Sequence, residues 1–146
     1  MEPEMADTVP HLKLTYEGAN KVLAAAVAKA NAMGVPQCIV VSDDGGHMLA
    51  FARMDGAKVL SIDSATMKAK TAASSRVPTG GIPDAVLEGR LVAATQGKLT
   101  NLKGGFPIVV DGKVIGAIGV GSGTGEQDIE VALAGLAALS GAKTAF

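Results

Sequence analysis

Two tight-turn signals most constrain what this chain can fold into. Asp43-Asp44-Gly45-Gly46 separates the β-rich run Gln37 to Ser42 from the run His47 to Met54, and acidic-glycine turns between such runs read as hairpins. Asp111-Gly112 does the same between Ile108 to Val110 and Lys113 to Val120. Helix-period segments lie before, between and after these hairpins. A parallel sheet needs a helical crossover after every strand, and two hairpins break that order. The sequence therefore predicts an α+β fold with an antiparallel sheet covered by helices.

The helices carry their own punctuation. Thr15 is placed as an N-cap with Glu17 in the first turn, and Val22, Leu23, Ala26, Val27, Ala30 and Met33 follow helical spacing up to Gly34 and Pro36. Leu60 to Ser75 predicts a second helix with Ile62, Ala65, Thr66, Ala69, Ala72 and Ala73 on its inner face. Pro83 suits the first position of a short helix over Asp84 to Leu91, and Leu99 to Leu102 reads as a brief strand. The last helix is expected from Glu126 to about Leu139. In the strand after the first turn, alternation puts Leu49, Phe51 and Arg53 on one face and Met48, Ala50, Ala52 and Met54 on the other. Residues 1–13 read as a loose arm and 14–146 as a single domain.

Composition narrows the function. The 13 basic and 14 acidic residues are interspersed, and only 3% of the chain is aromatic. No basic block and little stacking surface argue against nucleic acid as a partner. The one cysteine, Cys38, excludes an internal disulfide and a cysteine-built metal centre, and no metal site is expected. The N-terminus lacks an apolar core of the secretory type, and no run is long enough to span a bilayer, which points to the cytoplasm with no membrane partner. Hydrophobic content is 48%, yet it is carried by small residues that bury little area each. Burial between subunits is the remedy expected, hence a homo-oligomer larger than a dimer.

Several groups stand out as candidate chemistry. Ser61, Ser64, Lys68, Thr71 and Ser75 share one stripe of the second helix. The stripe is either a solvated face or the floor of a cleft for a polar or anionic ligand. Gly121 to Gly125 precedes a helix, and is either a plain turn or an anion cradle. Arg53 and Asp55 form either a carboxylate fork or a surface pair. Gly104-Gly105 lets a backbone approach closely. Glu126 and Asp128 open the last helix, where they complement its dipole or act as general acid and base. Arg53, Lys68 and the glycine pair are expected in one cleft, with Glu126 and Asp128 at its mouth.

The segments 41–57, 68–72 and 104–120, with Glu126-Gln127-Asp128, together resemble the GlcG/HbpS-like family, labelled haem-degrading or haem-binding. The resemblance implies a profilin-like three-layer α/β/α fold with a five-stranded antiparallel sheet, and large oligomers. Two readings of function follow. The first is a small-ligand-binding protein, with haem as the ligand that the resemblance brings in, serving a catabolic pathway. The second is a cofactor-free lyase or isomerase acting on a small anionic or aromatic metabolite. No cofactor is required by the residues themselves. Should haem bind, its iron needs an axial donor, and His47 beside the hairpin turn is the candidate. Arg53, Asp55, Ser64, Lys68, Thr71, Gly104 and Gly105 are the candidate ligand contacts.

Overall fold

A computed structural model of the chain describes residues 6–83 and 85–146, and the side chains of 85–88 lie outside that description. Helix α1 (Tyr16–Met33) is followed by β1 (Cys38–Asp43), β2 (Met48–Arg53), α2 (Leu60–Ser75), α3 (Ala85–Ala94), β3 (Gly105–Val110), β4 (Lys113–Gly121) and α4 (Gly125–Ala137). Both hairpins form, and β1 pairs antiparallel with β4 to join them. The sheet order is β2-β1-β4-β3.

The local signals act as their chemistry requires. Thr15 Oγ1 accepts from Gly18 N at 2.9 Å, and Gly34 ends α1 at φ 70°. Asp43 Oδ1 accepts from the backbone N–H of Gly45 and of His47, which builds the first hairpin turn. Pro107 lies in β3, a strand at the sheet edge, where its missing N–H costs no ladder bond on the open side.

The four strands correct the expectation of five. Leu99 to Leu102 does not join the sheet because its polar groups find partners outside it, most of them distant in the chain. Thr100 N donates to Thr71 Oγ1, Leu102 N donates to Thr100 Oγ1, and the Asn101 amide bonds Ile82 through both its oxygen and its nitrogen. A second correction concerns β2. A bulge opposite Val41 and Ser42 skips Leu49 and turns it toward the Ala50 side, against simple alternation. The third helix ends later than expected, at Ala94, and the expected start at Asp84 falls outside the described residues.

Two cores sandwich the sheet. On one face, Val22, Ala26 and Ala30 of α1 and Val131, Ala132 and Leu136 of α4 pack on Ile39, Val41, Ile118 and Val120. On the other, Ala65, Ala69, Ala72 and Ala73 of α2 pack on Cys38, Val40 and Ala117. The second core is built mainly of alanine because α2 lies almost on the sheet. A Cβ at Gly119 would run into the backbone of Ala65 and Ala69, so this approach needs glycine. The alanine- and glycine-rich composition thus serves close packing within one chain.

Candidate functional site

Where α2 crosses the end of β4, it carries its polar stripe inward. Ser61, Ser64, Lys68 and Thr71 are all buried, and only Ser75 of the stripe is exposed. The solvated-face reading of the first four is therefore excluded. The centre of the arrangement is Lys68, which is 4% exposed. Its Nζ donates to Val120 O at 2.7 Å and to Asp128 Oδ2 at 2.8 Å. Asp128, 2% exposed, comes from the first turn of α4. Its Oδ1 accepts from Gly123 N at 3.0 Å. With its amide nitrogen turned to face the acceptors around it, the fully buried Gln37 donates to Asp128 Oδ1 at 2.9 Å and to Gly121 O at 2.8 Å.

This network ties α2, β4, the 121–125 turn and the start of β1 together. Burial pushes the Asp128 carboxyl above the usual carboxylate range, and the Lys68 ammonium, the Gly123 N–H and the Gln37 amide pull against that rise. The glycines around it make space. A Cβ at Gly104 would meet Asp128 and Lys68, and one at Gly105 would meet the Lys68 backbone. Gly105 is further tied to Thr79, whose Oγ1 accepts its N–H at 2.9 Å. The room at this glycine pair is filled by the protein itself, by Val120, Asp128 and Lys68 at Gly104 and by the Lys68 backbone and Thr79 at Gly105.

Two cavities adjoin the network. A cleft of about 260 Å³ is lined by Lys58, Ser61, Ser64, Lys68, Ser122 and Asp128, with Lys103, Leu60 and Leu102 also on its wall. A mainly apolar cavity of about 570 Å³ lies beside it, walled by Val77, Ile82, Leu91, Leu99, Phe106 and Ile129, with Thr71 at its side. Lys103 borders both. At the rim, Lys103 Nζ reaches Glu126 Oε1 at 3.1 Å. Within the turn, Gly123 N is taken by Asp128 and Thr124 N by Gln127, in a capping box that starts α4. Those two amides are not free to cradle an anion.

The structure gathers Ser64, Lys68, Thr71, Gly104, Gly105, Glu126 and Asp128 into one region. It does not bring Arg53 there. Arg53 and Asp55 line a separate depression with Asn31, Gly34 and Pro36 at the end of α1, because β2 is the edge strand away from β4. The single-cleft expectation fails for Arg53, and Asp55, expected as a ligand contact, lies away from the network with it. His47 stands on the first hairpin turn with its side chain 83% exposed, 3.4 Å from Asp43. The arm's described part is held at two points: His11 Nε2 lies 3.1 Å from Asp44 Oδ2, and Lys113 Nζ donates to Pro10 O. Burial pushes the Cys38 thiol up, against a smaller pull from Arg53, which leaves it unreactive. Gln37, Lys58, Lys103 and Ser122 were missed by sequence reasoning. Two of them carried a local signal: Lys103, next to Gly104-Gly105, and Ser122, inside the Gly121 to Gly125 segment. Among the described residues no helix is long and apolar enough to cross a membrane.

Comparison with known proteins agrees with this architecture. The family model described as "Haem degrading protein HbpS-like" matches residues 14–137. Protein GlcG of Escherichia coli is 42% identical over 107 residues, which are 73% of this chain and 80% of GlcG. The crystal structure of Klebsiella pneumoniae protein ORFY superposes with a TM-score of 0.87 at 34% identity, covering 94% of this chain and 98% of ORFY. The crystal structure of a PduOC:haem complex superposes with a TM-score of 0.84 at 29% identity, covering 92% of this chain and 100% of that one. Matched along most of its length by that family model, the chain belongs to the HbpS-like haem-degrading protein family.

Proposed function

We propose that this protein binds a small, flat, largely apolar ligand that carries carboxylates, and that haem is the member of that class it takes. The observation that supports the reading is the apolar cavity bordered by Lys103. Its volume of about 570 Å³ is in the range of small-molecule sites, which are mostly apolar with a few placed polar groups. An apolar macrocycle would lie against Phe106, Leu99 and Ile129, and a carboxylate would displace Glu126 from Lys103. The haem complex of the PduOC relative supports the choice of ligand.

Holding the ligand and coordinating its iron are separate tasks. Among the described residues neither cavity is lined by His, Cys, Met or Tyr. His47 is the proposed axial donor, and since it lines neither cavity, a second copy of the chain must present it. This ties haem binding to a homo-oligomer. The lyase or isomerase reading has less support. Both oxygens of Asp128 are occupied, so it would have to give up partners before acting as a base, and Glu126 is exposed and paired.

Haemin titration followed by the Soret band tests both parts. Wild type is expected to saturate at a fixed stoichiometry per chain. Lys103→Met is expected to bind about tenfold more weakly, the scale of one charge-assisted contact. His47→Ala is expected to bind with a shifted Soret maximum. An unchanged band in that variant removes His47 as donor, and an absence of saturable binding to wild type removes the haem reading itself.

A further inference from the structure

We propose that the cleft between α2 and the 121–125 turn is a second, separate site that binds a small oxyanion. The inference comes from counting hydrogen-bond valences and does not rest on the haem reading.

Lys68 has three N–H donors, and two are used, by Val120 O and Asp128 Oδ2. The third has no acceptor among the described residues. One turn earlier on the same face, Ser64 is 9% exposed and its hydroxyl makes no hydrogen bond among the described residues. No fully sealed polar side-chain atom lacks a partner there, so the free valence of Ser64 opens on the cleft it lines. Ser61 and Ser122 add one more donor. Their hydroxyls lie 2.7 Å apart, and Ser122 Oγ also accepts from Lys58 N at 2.7 Å. Only one of the two hydroxyl protons fills the bond between them, so the other remains to be donated. Ser122 holds this place at φ 91°, a conformation that L residues seldom adopt.

Acceptors run the other way. Asp128, the one carboxylate on the cleft wall, has both oxygens filled from within the protein. Lys58 adds positive charge at the opening, where Lys103 is paired with Glu126. The cleft therefore offers surplus donors and net positive charge with no spare carboxylate, and oxyanions satisfy that pattern. Its volume of about 260 Å³ lies below the range of drug-sized ligands, which limits the occupant to a small carboxylate or a phosphate group. One oxygen would bridge Lys68 and Ser64, and another would take the free hydroxyl of the Ser61–Ser122 pair.

Isothermal titration with malonate and, in a separate arm, inorganic phosphate tests this in chloride buffer at constant ionic strength. Saturable binding of one probe at one site per chain is expected, and the tighter probe tells a carboxylate site from a phosphate site. Ser64→Ala suits helix α2, so its melting temperature should match wild type. It should weaken the probe at least tenfold while leaving haemin titration unchanged. Absence of saturable binding for both probes overturns the proposal, as does equal affinity in Ser64→Ala. A haemin failure with malonate or phosphate still binding would count only against the haem reading.

Discussion

At the scale of single residues, the Lys68–Asp128 pair governs the behaviour of the site. Removing one partner strands a buried charge, which costs about 3–5 kcal/mol. Lys68→Met is therefore expected to lower unfolding free energy by that amount in urea titration. The double variant Lys68→Met/Asp128→Leu should recover a large part of it, because replacing both charges with apolar groups removes the desolvation penalty. A double variant no more stable than Lys68→Met would show that the cost lies in packing instead. The pH dependence has a definite sign. Burial holds the Asp128 carboxyl above its unfolded value. Its contribution to stability is thus fully present below the unfolded pKa and is lost as pH rises through the folded pKa. Above pH about 4, the unfolded carboxylate range, the urea midpoint of wild type should fall with rising pH more steeply than that of Asp128→Asn. Parallel pH profiles would refute the assignment.

At the scale of elements, the decisive contact is α2 on β4. Most helix–sheet layers are spaced by branched side chains, but here Ala65 and Ala69 lie against Gly119. Such a contact buries little area per residue, so its value lies in position. It brings the Lys68 ammonium within reach of the β4 backbone and of α4. Gly119→Val should push α2 off the sheet, with a loss of about 1–3 kcal/mol or more for overpacking. It should also break the Lys68–Val120 bond, visible as faster amide exchange along β4. By contrast, Gly89→Ala in α3 meets open space and should be neutral or slightly stabilising. If both substitutions cost the same, the close approach of α2 is not what requires glycine.

At the scale of the whole molecule, the apolar residues left outside suggest how copies meet. Val59 and Leu60 at the start of α2 are 66% and 72% exposed, and Leu102 across the cleft is 52% exposed. Leu60 and Leu102 line the cleft wall, so a neighbour seated there would screen the site from water. An assembly larger than a dimer is the expected state, giving a light-scattering mass of at least three times the 14.6 kDa chain. Leu60→Glu should shift that mass downward by burying a charge in any contact made there. A monomeric wild type at micromolar concentration would exclude the assembly, and with it the route by which His47 reaches haem.

What the sequence determined by itself was whatever neighbouring residues decide. Thr15 and Gly34 bound α1, Asp43 to Gly46 and Asp111-Gly112 set the hairpins, and i, i+3, i+4 spacing aligned Ser61, Ser64 and Lys68. Each rests on backbone chemistry within a turn or two. The family was legible too, because its motifs are contiguous strings. Only the tertiary structure decided that Lys68 meets Asp128 sixty positions away, that Gln37 seals the pair, and that Arg53 is elsewhere. Sheet order settles which loops converge, and the edge position of β2 carried Arg53 and Asp55 away from β4. Leu99 to Leu102 had the composition of a strand, and long-range bonds donated to Thr71 Oγ1 and to Ile82 O took its polar groups instead. Spacing along one helix shows which side chains share a face, but what that face meets depends on strand pairing and layer packing between residues far apart in the chain.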